Sequence, residues 1–134
     1  MSREIIYAED TGSTTEKAFT LTVNLEGGKP YYLVPKGFKF SILSIDIQSK
    51  DESTVILKVQ KVTEGTTPSY TDATTIIKWY LTSPGHLHQG YSKDVFVIEA
   101  LDADVCIFLG YVQPTGNEIS VTILGELEEV VKTG

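Results

Sequence analysis

The sequence predicts an all-β fold, an antiparallel two-sheet sandwich that is jelly-roll-like and holds about ten strands in one domain spanning 1–134. Three observations carry this. Apolar and polar residues alternate with a period of two, which puts one set on each face of a pleated strand. Strand-like runs recur about every 8 to 15 residues with Gly, Pro, Asn or Asp signals between them, the spacing of sandwiches, jelly rolls and barrels. No stretch of ten or more residues carries a convincing helical period.

Taken in order, residues 1–15 read as an N-terminal arm, and Phe19, Leu21, Val23 and Leu25 alternate with Thr20, Thr22 and Asn24 as one strand stopped by Gly27-Gly28. Pro30 to Val34 is a short extended piece, and Pro35-Lys36-Gly37 has the chemistry of a turn. Phe38, Phe40 and Ile42 then change phase to Leu43, Ile45 and Ile47. A one-residue slip would turn the strand inside out, so a β-bulge near Ile42-Leu43 is expected. Lys50-Asp51-Glu52-Ser53 is a polar turn, and Val55, Leu57 and Val59 are expected to complete an antiparallel hairpin with the preceding strand. Thr63 to Thr75 reads as a long surface loop, Ile76 to Leu81 as a strand and Ser83-Pro84-Gly85 as a turn. His86 to Ser92 is ambiguous. Asp94 to Glu99, Asp104 to Tyr111 and Ile119 to Ile123 are strands, Pro114 to Asn117 is a turn, and 126–134 reads as an acidic C-terminal tail.

Composition narrows the function. Eleven Lys and Arg against 18 Asp and Glu give a net charge of -7, a field that repels phosphate backbones and anionic lipid. Nucleic acid and membrane are therefore not expected partners. The N-terminus lacks a basic segment followed by an apolar stretch, and no window holds ~18 consecutive apolar residues. Neither a signal peptide nor a spanning segment is expected, which leaves synthesis in the cytoplasm. The single cysteine, Cys106, lies in an apolar run and reads as core.

Catalytic arrangements are hard to assemble. The chain has no Gly-x-Ser-x-Gly elbow and no Gly-rich phosphate loop ahead of a helix, and the carboxylate pairs Asp102/Asp104 and Asp51/Glu52 sit in hydrophilic turns. The expectation is no enzyme and no cofactor. In Gly85-His86-Leu87-His88-Gln89-Gly90, residues two apart share a strand face, so His86 and His88 could meet one metal ion. Two ligands are too few for a centre within one chain. Cupins follow their His-x-His with a Glu and a later His; here those Glu positions hold Ser92 and Lys93 and no third His exists. The same segment resembles the Gly-flanked His-x-His of trimeric phage fibre and spike tips, which implies metal binding by His86 and His88 only if shared across a homotrimer. Tyr31-Tyr32 and Trp79-Tyr80 are adjacent aromatic pairs, so one member of each should face outward as a partner or glycan contact, with Tyr91 a further candidate.

The segment order is similar to that of small β-sandwich virion proteins of tailed phages, head decoration proteins and other auxiliary capsid or tail proteins. The shared pattern runs from Val34-Pro35-Lys36-Gly37 into Phe40 to Ile47, through Thr54 to Val59 and Val95 to Ala100, to Glu118 to Glu126. The resemblance implies a non-enzymatic protein located in the virion, binding the major capsid protein or another virion protein, stabilising an assembled shell and forming a homotrimer. The Thr63 to Thr75 loop, the N-terminal arm and the C-terminal tail would be its contact elements. The alternative is a carbohydrate-binding or receptor-binding sandwich module, which requires Tyr31, Tyr32, Trp79 and Tyr80 to be exposed and roughly coplanar.

Overall fold

The structure is a computed structural model that describes residues 2–11, 14–23, 28–82, 85–113 and 118–130. Among them are no helix and eleven strands: β1 (Ser2–Thr11), β2 (Lys17–Ala18), β3 (Thr22–Val23), β4 (Tyr32–Val34), β5 (Phe38–Ser49), β6 (Ser53–Val62), β7 (Thr74–Leu81), β8 (Gly85–Gly90), β9 (Val97–Ala100), β10 (Asp104–Val112) and β11 (Glu118–Glu129). The first sheet runs β3-β1-β11-β5, with β8 and β9 sharing the far edge of β5; the second runs β10-β6-β7, with β2 and β4 sharing the other edge of β10. If each pair sharing an edge is counted as one interrupted strand, the two sheets have jelly-roll connectivity. The chain crosses between sheets at every step except from β6 to β7 and from β8 to β9.

Alternation fills the interior. Ile6, Ala8, Phe40, Ile42, Ile45, Ile47, Val121 and Ile123 from the first sheet meet Val55, Leu57, Val105, Ile107, Leu109 and Tyr111 from the second. The bulge lies where the phase change puts it. The β5–β11 register moves from Ser44 opposite Leu124 to Ile42 opposite Gly125, leaving Leu43 as the extra residue. Gly125 is required there, because a Cβ would lie 2.6 Å from the Ser41 carbonyl oxygen and run into the Phe40 ring. The Pro35 turn also forms, closed by the Phe38 amide donating to the Pro35 carbonyl at 3.0 Å.

Four expectations are corrected. The N-terminal arm is the strand β1, laddered along its whole length with β11 from Ser2 opposite Leu127 to Thr11 opposite Glu118. Residues 126–129 of the expected tail continue β11, and 131–134 lie outside the described residues. Of the single strand expected from Phe19 to Leu25, only β3 (Thr22–Val23) forms, on β1; β2 just before it pairs with β10 in the other sheet, and 24–27 lie outside the described residues. Phe19 and Leu21 both enter the core as the chain passes around the side of the sandwich; alternation records entry to the core and is blind to which sheet supplies the hydrogen bonds. The hairpin between β5 and β6 is absent, because β5 pairs with β11, β8 and β9 while β6 pairs with β10 and β7. The polar turn instead bridges the sheets. Gln113, fully buried, donates from Nε2 to Ser49 Oγ at 2.9 Å and Ser53 Oγ at 3.0 Å, and Ser49 Oγ donates to the Asp51 carbonyl at 2.8 Å. The turns expected at Ser83-Pro84 and Pro114 to Asn117 lie outside the described residues.

The second sheet is covered on its outer face over β10. Residues 63–73 fold back over β10, where Tyr31 and Tyr70 place their ring centroids 5.7 and 6.2 Å from that of Phe108. Tyr70 is pinned three ways. Its hydroxyl donates to Glu16 Oε1 at 2.7 Å, its carbonyl accepts from Lys58 Nζ at 3.3 Å, and that ammonium stands 4.1 Å from its ring centroid. The Ser69 amide donates to Gln60 Oε1 at 2.9 Å. Thus Cys106 and Phe108, which face away from the sandwich interior, are as buried as the core residues between them.

Candidate binding cleft

Four strands of the first sheet end side by side, and their register aligns outward-facing side chains into rows. Glu9 of β1 lies opposite Ser120 of β11, Ser120 opposite Gln48 of β5, and Gln48 opposite His86 of β8. The next outward row is Tyr7, Thr122, Asp46 and His88. Between them lies the row Ala8, Val121, Ile47 and Leu87, whose side chains turn into the core and hold the sheet rigid beneath the polar rows. An open cleft of about 900 Å³ runs along the strand ends, lined by the first row together with Glu118, Lys50 and the inward rim residues Asp10 and Ser49.

His86 and His88 do share a face, as their spacing requires. His86 Nε2 lies 3.2 Å and His88 Nδ1 3.3 Å from one atom, Asp46 Oδ2. Burial alone would raise the Asp46 carboxyl, but the hydrogen bonds from His86 and His88 hold it below the usual carboxylate value. Both imidazoles are thereby engaged with a carboxylate within the chain. Among the described residues no set of three His, Cys, Asp or Glu is arranged to hold a metal ion, so the residues present do not fit a metal centre within one chain. Sequence reasoning missed Asp46 and the cleft residues Glu9, Gln48, Lys50, Glu118 and Ser120; the only signal for Asp46 was outward parity between Ser44 and Gln48, and nothing local pairs β5 with β8.

The aromatic candidates do not assemble into a platform. Tyr32 and Trp79 are each only 7% exposed and face the core, Tyr32 packing on Phe40 with centroids 4.9 Å apart. Tyr31 is taken up against Phe108, and Tyr91 stacks edge-on with Phe96 at 5.3 Å. Tyr80 alone of the four projects, 71% exposed, on the outer face of the second sheet across from Thr54. Parity in each adjacent pair was sound, one ring in and one out, but the outward Tyr31 is covered within the chain.

At the other end of the open face, charged side chains form a belt. Lys39 Nζ lies 3.3 Å from both Asp94 Oδ1 and Glu128 Oε1, Lys93 Nζ lies 3.2 Å from Glu128 Oε2, and Arg3 pairs with Glu126 at 3.5 Å. Hydrogen bonds to Asp94 and Glu128 hold the Lys39 ammonium above its usual value. Asp94 takes a positive φ of 66° at the tip of a chain excursion that straddles the bulge. The Tyr91 amide donates to the Leu43 carbonyl on one side, and the Ile42 amide donates to the Phe96 carbonyl on the other, both at 2.8 Å.

The remaining reactive groups lie elsewhere. Cys106 is fully buried, and burial followed by the Asp104 charge pushes its thiol up to about 11, so it is not a thiolate at neutral pH. The turn carboxylates cap and pair: Asp104 Oδ1 accepts from the Lys36 amide at 2.7 Å and Asp102 Oδ2 from Lys61 Nζ at 2.7 Å. No protein-family model matches the chain, and a search of curated proteins finds no match.

Proposed function

We propose that this chain is a non-enzymatic structural protein of a phage virion, a decoration or auxiliary protein that binds the major capsid protein or another virion protein and stabilises the assembled shell. The observation that carries this reading is the division of labour between the two outer faces. One face is covered over β10 by residues 63–73, and the other is an open, rigid, registered sheet surface suited to contact rather than chemistry. The segment pattern shared with small virion sandwiches over about residues 30–126 supports the same reading. Contact with the shell is assigned to the charged end of the open face, around Lys39, Lys93, Glu126 and Glu128, because reciprocal charges set the register and orientation of a docked surface. A homotrimer suits a shell's local threefold positions, and His86 and His88 would share a metal only across such an assembly.

The test is co-sedimentation with empty shells assembled from the major capsid protein encoded in the same genome, combined with light scattering of the free protein. Saturable binding by a trimer, weakened by Lys93→Glu, is the expected result. A monomer that stays in the supernatant at saturating concentration overturns the proposal. A glycan-binding function through an aromatic platform is not favoured, since Trp79 and Tyr32 are core side chains.

A further inference from the structure

From the cleft at the strand ends of the first sheet we infer a second binding function, beyond the shell-binding reading and independent of it: the cleft takes a short, uncharged or amino-sugar oligosaccharide lying across β1, β11, β5 and β8. The argument starts from the row Glu9, Ser120, Gln48 and His86. At ~4.8 Å between strands, four strands present ~14 Å of polar edge, the length of a few linked sugar rings. The cleft volume of about 900 Å³ falls within the range of ligand sites.

The chemistry of the lining selects the ligand class. Gln48, His86 and Lys50 supply donors, while Glu9, Glu118 and the Gln48 carbonyl supply acceptors. An anion would be recognised by donors alone and a polycation by acceptors alone; a hydroxyl both donates and accepts, so a mixed row matches a polyol. Carboxylate and amide groups present two adjacent polar atoms each, the arrangement that vicinal hydroxyls engage in pairs. Glu9 and Glu118 form no ion pair among the described residues and share the lining with Lys50 and His86, and their negative charge disfavours phosphate or uronate ligands. The second row, Tyr7, Thr122, Asp46 and His88, lies beside the cleft on the same face and is not part of its lining. Asp46, beside His88 in the neighbouring outward row, holds the His86 imidazole in place before a ligand arrives.

The experiment is an amide-resolved NMR titration of the full chain with soluble chito-, cello-, malto- and galacto-oligosaccharides, with inorganic phosphate and an oligolysine peptide as competing ligand classes. Expected are shifts confined to Glu9, Gln48, Glu118, Ser120 and their neighbours on addition of at least one neutral or amino-sugar oligomer. Gln48→Ala, an exposed change that leaves the fold intact, weakens binding about tenfold, and Tyr80→Ala leaves it unchanged. The inference is overturned if no sugar in the panel moves these amides at concentrations up to ~10 mM. It is equally overturned if oligolysine or phosphate moves them and sugars do not, or if binding survives Gln48→Ala and disappears with Tyr80→Ala. Shell binding has its own readout by sedimentation, so either idea can fail alone.

Discussion

The two sheets of this sandwich are built alike inside and differ outside. On the second sheet, the outward residues Cys106 and Phe108 of β10 are as buried as the inward Ile107 and Leu109, because residues 63–73 lie across them with Tyr70 as the keystone. On the first sheet, the outward residues of β1, β11, β5 and β8 are mostly polar or charged, with Ile5 opposite Leu124 as an apolar pair, and among the described residues no chain segment covers the rows around Asp46 and Gln48. A face that completes its burial within the chain contributes to stability. A face left open with registered polar rows and a rigid apolar underside is available for recognition. The difference resides in one loop, and it assigns fold maintenance and contact to opposite sides of the molecule.

The largest expected effect would break that comparison if it failed. Phe108→Ala on the covered face should cost about 3–5 kcal/mol, read from urea unfolding, whereas His88→Ala on the open face should stay within about 0.5 kcal/mol; equal losses would mean that both faces are exposed. Next in size is Gly125→Ala, expected to cost about 1–3 kcal/mol because the Ser41 carbonyl and the Phe40 ring occupy the space of the new methyl group. Unchanged stability there would show that the bulge yields. Tyr70→Ala should then speed the reaction of Cys106 with a thiol reagent at least about tenfold by opening the cover more often. An unchanged rate would mean that the loop is not the lid on β10.

The pH dependence sharpens the same contrast, since buried groups of the second sheet and Asp46 on the open face respond with opposite sign. Burial pushes the Cys106 thiol from its ordinary 9.0 up to about 11 and the Tyr111 hydroxyl from 10.0 up to about 12, the latter helped by its hydrogen bond to Asp10. Both raised groups contribute stability fully present below their ordinary values and lost as pH rises through about 11 to 12. Asp46 on the open face is held below its ordinary 3.8, so its contribution is present above that value and lost as pH falls beneath it. Cys106→Ala should therefore flatten the alkaline limb of a urea-midpoint profile, and Asp46→Asn should flatten the acid limb. The reverse assignment would contradict the burial pattern. The smallest effect is expected from the charged belt, where Lys93→Ala should leave the melting temperature nearly unchanged, because exposed ion pairs are screened and entropically costly.

Some of this was legible residue by residue. The phase change at Ile42-Leu43 located the bulge, the unbroken apolar run of β10 carried the mark of a strand buried on both faces, and the spacing of His86 and His88 put both rings on one side. Other features were hidden for a physical reason. β1 reads poorly as a strand because Ile5 and Ile6 blur its alternation, and its partner β11 lies more than a hundred residues along the chain. Asp46 joined the histidines only through the β5–β8 ladder, which no local pattern announces.

Sequence by itself determined the all-β class, the positions of most strands, and which side chains enter an interior, because the pleat forces a period of two on any half-buried strand. Only the tertiary structure decided which strands pair, that the polar turn after β5 passes between sheets, that residues 63–73 cover the outer side of β10, and that Glu9, Ser120, Gln48 and His86 stand in one row. Partner choice is a long-range competition among equally patterned edges, settled by how two sheets can pack around one core rather than by any segment alone.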